Sequence, residues 1–113
     1  TLLNNILDNT TAVDDGVENV AAEFALKQNY PNPFNPTTQI EYSIPAKSLV
    51  SLKIYDINGN LIRTLHNSAQ ARGRYNVTWD ATNDFGARVA SGVYFYKLQT
   101  ETRVMTRKML LMK

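Results

Sequence analysis

From residue 38 onward, apolar and polar positions alternate in short runs. Over 38–44, Ile40, Tyr42 and Ile44 alternate with Gln39, Glu41 and Ser43, the period of a half-buried strand. Pro45 closes that run. Over 49–56, Val50, Leu52 and Ile54 alternate with Ser51, Lys53 and Tyr55. Asp56-Ile57-Asn58-Gly59 comes next, and Asn-Gly tolerates positive φ at both central positions of a tight hairpin. Residues 60–66 read as the returning strand. The spacing of Leu61, Ile62 and Leu65 departs from two, which points to a bulge or a twisted edge and leaves open which leucine faces inward. Residues 67–72, small and polar, read as a loop. From Gly73, Tyr75, Val77 and Trp79 alternate with Arg74, Asn76, Thr78 and Asp80. A long connection spans 80–92, with a short pairing near Arg88–Val89. Over 92–100, Tyr94, Tyr96 and Leu98 alternate with Val93, Phe95 and Lys97. Glu101-Thr102 is a turn, and 103–112 reads as the last strand.

Many short strands at this spacing, with hardly any helical period, predict an all-β chain. The expected fold is an immunoglobulin-like antiparallel β-sandwich of about seven strands. Trp79, Tyr94 and Tyr96 are the expected core aromatics, with the indole between the sheets.

The lead-in to these strands is distinctive. Pro31, Pro33 and Pro36 stand within Asn29-Tyr30-Pro31-Asn32-Pro33-Phe34-Asn35-Pro36. Each proline fixes its own φ, lacks a donor and drives the preceding residue toward extended geometry. This segment is neither helix nor central strand. It reads as a stiff extended entry with Tyr30 and Phe34 as aromatic anchors. Ahead of it, Asn4, Asn5, Asn9, Thr10, Thr11, Asp14, Asp15 and Gly16 give a linker composition. Residues 1–27 are therefore expected to be a linker and the tail of an upstream domain, with Val20, Phe24 and Leu26 beginning to pack on the β-domain. Residues 28–113 form that β-domain.

Composition narrows the chemistry. The chain has 113 residues, 43% hydrophobic and 19% charged, enough for one packed domain. Without cysteine, it has no disulfide, thiolate nucleophile or cysteine-based zinc site. No apolar run reaches membrane-spanning length. No secretory leader opens the sequence, so the signal peptide of an exported protein would belong to a longer precursor. The net charge is +2. Acidic residues lead the chain up to Lys27, and bases are scattered over the later strands without an arginine-rich block. That distribution fits solvated sheet faces rather than a nucleic-acid surface.

No catalytic constellation stands out. His66 is the only histidine, with no cysteine or second histidine to join it. The serines lack a nucleophile elbow, and no glycine-rich phosphate loop occurs. The chain is expected not to be an enzyme and to need no cofactor. The nearest thing to a metal-ligating set is Asp80, Asn83 and Asp84 before Gly86, oxygen ligands of the kind calcium takes. The later glutamate of an EF-hand is missing, and the same residue types make ordinary turns, which is the favoured reading. Tyr30, Phe34, Tyr55, Phe85 and Phe95 are candidates for a sugar-binding platform, against a packing role for most of them.

Taken in order, these pieces resemble a known family. Asn29-Tyr30-Pro31-Asn32-Pro33-Phe34-Asn35-Pro36-Thr37-Thr38 is similar to the opening of the C-terminal sorting domains of the type IX (Por) secretion system, type A. Gly73-Arg74-Tyr75-Asn76-Val77-Thr78-Trp79-Asp80, Ser91-Gly92-Val93-Tyr94-Phe95-Tyr96-Lys97-Leu98 and the ending Lys108-Met109-Leu110-Leu111-Met112-Lys113 resemble its later elements. Ala81 departs from the pattern, standing where many relatives carry glycine. The Tyr-Asp, Trp-Asp and Ser-Gly-Val-Tyr elements also resemble the immunoglobulin-like domain of flagellar hook-capping proteins. The resemblance implies an address label on a preceding cargo domain. Such a label is read by the outer-membrane translocon as the cargo passes through the periplasm to the cell surface or medium. A surface sortase would then cut in the linker, around residues 12–27, and join the cargo to anionic lipopolysaccharide. Lys108, Met109, Leu110, Leu111, Met112 and Lys113 would be the recognition element, presented as an exposed strand edge. The competing readings are a carbohydrate-binding or adhesive accessory module of a secreted enzyme and a structural spacer.

Overall fold

A computed structural model describes residues 23–112 of the chain. Residues 1–22 of the expected 1–27 linker, Val20 among them, and the terminal Lys113 lie outside the described residues. Seven strands succeed one another: β1 (Ala25–Leu26), β2 (Thr38–Ile44), β3 (Ser48–Asp56), β4 (Leu61–Gln70), β5 (Gly73–Trp79), β6 (Gly92–Gln99) and β7 (Val104–Leu111). They form a three-stranded sheet, β1-β2-β5, and a four-stranded sheet, β4-β3-β6-β7. Every strand pairing is antiparallel. The fold is an immunoglobulin-like sandwich.

Alternation places the core. Ile40, Tyr42 and Ile44 of β2 are buried, as are Val50, Leu52 and Ile54 of β3 and Tyr94, Tyr96 and Leu98 of β6. Trp79 has no exposed surface. Its ring lies 5.7 Å from that of Phe34 and 5.4 Å from that of Tyr94, edge-on to the latter, the arrangement aromatic quadrupoles favour. Its Nε1–H donates to the Thr82 carbonyl at 2.8 Å. The sandwich also takes in Phe24 and Leu26, both buried, while the Ser43 hydroxyl holds the Glu23 carbonyl at 2.7 Å.

Three local expectations need correction. The first concerns residues 67–70, which are not loop. They continue β4, with Ser51 opposite Asn67 and Ser48 opposite Gln70. An edge strand exposed on both faces needs backbone pairing but no apolar side chains, so its polar sequence hides it. Within β4 the register slips twice, around Leu65 and Ile62. These bulges let residues three apart both pack on the core, while Leu61 stays 48% exposed.

The second is the β3–β4 turn. It closes with the Gly59 N–H donating to the Asp56 carbonyl at 3.0 Å, and only Gly59 takes positive φ, at 85°. Asn58 does not need the left-handed region, because its N–H is held at 2.9 Å by the Asp56 carboxylate. The third is the proline segment. It is a chain of bends rather than a straight run, with cis peptide bonds before Pro31, Pro33 and Pro36. Phe34 is buried but Tyr30 is 80% exposed. Tyr30 exchanges backbone bonds with Gln39, and residues directly opposite share a face. Gln39 faces solvent, so Tyr30 does too.

Candidate functional site

The proline ribbon and the closing strand meet, although some 80 residues separate them in sequence. Asn29 is the hinge. It is buried, and its N–H donates to the Tyr96 hydroxyl at 2.8 Å. Its side-chain amide donates to the Thr38 hydroxyl at 2.9 Å and the Pro31 carbonyl at 3.1 Å. Thr38 in turn donates to Pro31 at 2.9 Å, and Tyr96 donates to the Lys27 carbonyl at 2.7 Å. Buried polar groups are tolerable when satisfied in this way. Burial pushes the Tyr96 phenol above its ordinary pKa, since a phenolate would lose hydration there.

From this knot the ribbon runs along the outer edge of β7. The Gln28 side-chain amide donates to the Lys108 carbonyl at 2.8 Å. The Asn32 side-chain oxygen accepts the Leu110 N–H at 3.0 Å. Phe34 donates its N–H to the Leu110 carbonyl at 3.0 Å and accepts the Met112 N–H at 2.9 Å, making a parallel bridge between Phe34 and Leu111. Farther back, the Arg107 guanidinium donates to the Leu26 carbonyl. Pro33 suits this path, since a residue without an N–H needs no partner along the ribbon.

The terminal segment is thus divided. Met109 and Leu111 are buried in the core, while Leu110 and Met112 are 38% and 50% exposed and Lys108 is exposed. The expectation of a bare edge over 108–112 is corrected, because residues 28–34 already occupy it. Val104 and Thr106, earlier on the same strand, carry no bond to the ribbon. Gln28 and Arg107 escaped sequence reasoning because their partners are too distant in the chain for any local pattern to link them.

The Asp80–Gly86 loop has its oxygens engaged by the chain itself. The Asp80 carboxylate accepts the Thr82 hydroxyl, which holds its pKa below the ordinary carboxylate value. The Asn83 side-chain oxygen caps the N–H groups of Phe85 and Ala87 at 2.9 and 3.0 Å. Asp84 accepts the Thr64 N–H at 2.9 Å and lies 3.9 Å from the Arg63 guanidinium. No cluster of three or more acidic or histidine side chains is placed to hold a metal among the described residues. The His66 ring nitrogen lies 3.1 Å from the Ser68 hydroxyl on the edge strand. Of the platform candidates, Phe34 is buried, Phe85 is 93% exposed and stands alone on its loop, and Tyr55 and Phe95 lie side by side across β3 and β6.

Comparison with known proteins agrees with this architecture. The chain is similar to PorU of Porphyromonas gingivalis, solved as a latent dimer, with a TM-score of 0.65 and 21% identity over 89% of this chain. It is similar to FlgD of Xanthomonas campestris, described in connection with hook capping, with a TM-score of 0.53 and 24% identity over 85% of this chain and 74% of that one. PorZ of Porphyromonas gingivalis, a surface component of the type IX secretion system, gives a TM-score of 0.50 and 24% identity over 80% of this chain. The chain spans only 10% of PorU and 11% of PorZ. No curated protein matches the sequence. The family model described as the FlgD Ig-like domain matches residues 34–103, from the buried ribbon phenylalanine to the turn before β7, and the chain belongs to that family.

Proposed function

We propose that this domain is a non-catalytic C-terminal sorting signal of the type IX secretion system, type A. It would direct a preceding cargo domain across the outer membrane to the cell surface or medium. The observation that carries this reading is the lock between the Asn29–Pro36 ribbon and the end of β7. The two segments that resemble the sorting family most closely form one bonded unit here, so a translocon can read both in a single folded surface. Likeness in fold to PorZ, a type IX surface component, supports the same assignment. Its partners are the translocon and sortase. The surface they meet is the exposed set Lys108, Leu110 and Met112, together with the open edge at Val104 and Thr106.

The proposed sortase cut lies within 12–22. A cut at 23–27 would sever β1 and remove Phe24 or Leu26 from the core. The test is a folded reporter fused ahead of residues 20–113 in a type IX-competent bacterium. Reporter in the medium or on the surface supports sorting. Reporter held in the periplasm, with the appended domain folded, refutes it. Deleting 108–113 also strands the cargo, but it removes Met109 and Leu111 from the core as well, so it does not separate recognition from folding.

A further inference from the structure

The outer face of the four-stranded sheet carries a feature centred on β3 and β6, which meets the proposed sorting surface only at Lys108 and Thr106. Lys53 and Lys97 stand directly opposite each other on β3 and β6, and Tyr55 stands opposite Phe95 one pair further along. Lys108 of β7 faces Phe95 from the other side. Strand alternation turns all five away from the core, because Ile54, Tyr96 and Met109 between them are buried. The Lys97 ammonium lies 5.2 Å from the Tyr55 ring centroid. Tyr55, Phe95, Lys97 and Thr106 border an open groove of about 400 Å³ that runs toward the Asp56–Gly59 turn, and Lys53 and Lys108 stand beside it on the same sheet face.

Two like charges directly opposite on a sheet repel, and neither Lys53, Lys97 nor Lys108 makes an ion pair among the described residues. The carboxylate at the groove's rim, Asp56, is turned to its own hairpin, bonded by Asn58 and Asn60. The face therefore places three lysines that make no ion pair, against the single Asp56 carboxylate at its rim, beside two half-buried aromatic rings.

We infer that this face binds an acidic polysaccharide. The Tyr55–Phe95 pair stacks on the apolar face of a sugar ring, while Lys53, Lys97 and Lys108 take its carboxylate, sulfate or phosphate groups. The inference stands independently of the sorting role. The ring pair supplies stacking without base-edge readout, and three point-like ammonium groups suit scattered acidic substituents.

The test is affinity electrophoresis of the full chain through gels holding polygalacturonate, neutral dextran or single-stranded poly(dT), at low and high salt. The expected result is retardation by polygalacturonate, weakened by salt, with no retardation by dextran. Lys53→Gln with Lys97→Gln, and separately Tyr55→Ala, should each weaken retention at least about tenfold, the discrimination that a few lost contacts carry. Thermal melts of each variant identify any that fail to fold, in which case Tyr55→Leu, which keeps apolar bulk but removes the stacking ring, and the single lysine changes replace it. Lys47→Gln with Arg74→Gln removes the same charge elsewhere and should leave binding intact. Equal loss in that control, unchanged binding in folded face variants, or tighter retention by poly(dT) would overturn the assignment.

Discussion

Tyr96 shows how one side chain ties the two ends of the domain together. Its hydroxyl donates to Lys27 and accepts from Asn29, so Tyr96→Phe keeps the ring but orphans a buried N–H and a carbonyl. The expected loss is about 1–3 kcal/mol, read as a fall in the denaturant midpoint with little change in slope. Burial raises the phenols of Tyr42, Tyr94 and Tyr96 alike. A raised folded pKa gives stability that is complete below the unfolded value of about 10 and is lost as pH climbs past it. The alkaline fall in stability should therefore be shallower in the phenylalanine variant.

Ala81 sits at φ 64°, buried. The left-handed region costs an L-residue about 1–2 kcal/mol. Ala81→Gly relieves that cost but gives up a buried methyl worth about 0.8 kcal/mol and adds chain entropy worth about 0.4–1 kcal/mol. The expected net change lies within about 1 kcal/mol of zero, whereas Ala81→Val, branched in the same region, should lose about 2 kcal/mol or more. Urea melts of the two variants distinguish these outcomes.

At the scale of elements, β4 is the clearest case of structure without a sequence signature. Amide hydrogen exchange should find alternate N–H groups across residues 67–70 protected, those facing β3, while uniform fast exchange there would mean a loop. Strands with one buried face were legible because burial imposes a period of two: β3, β5 and β6 obey it, and β2 does so up to Ser43, which is buried where its hydroxyl meets the Glu23 carbonyl. The end of β4 was illegible because neither face is buried. The Asn58-Gly59 turn was legible as a hairpin but not in its geometry, since the Asp56 carboxylate supplies bonds that a dipeptide rule does not foresee. The ribbon's prolines excluded helix and central strand correctly. They did not reveal the bends or the docking on β7, because that contact depends on Asn29, Asn32 and Phe34 meeting residues at the far end of the chain.

At the scale of the whole molecule, the proline ribbon closes the sandwich and frames the terminus. Phe34 packs toward Trp79 while its backbone clasps Leu110 and Met112, so the chain's proline ribbon and its closing strand stand or fall together. This division separates the residues that hold the fold, Met109 and Leu111, from those a partner can touch, Lys108, Leu110 and Met112. Leu110→Ser with Met112→Ser changes only exposed side chains and leaves the backbone bonds to Asn32 and Phe34, so stability should move by no more than about 0.5 kcal/mol per site.

The most direct measurement is the fraction of a reporter found outside the cell when residues 20–113 are appended to it, compared with the same fusion carrying Leu110→Ser and Met112→Ser. The expected result is export of the first and retention of the second in the periplasm, with both domains melting alike. Equal export of the two, or periplasmic retention of the unaltered fusion with its domain folded, would contradict a sorting role for this terminus.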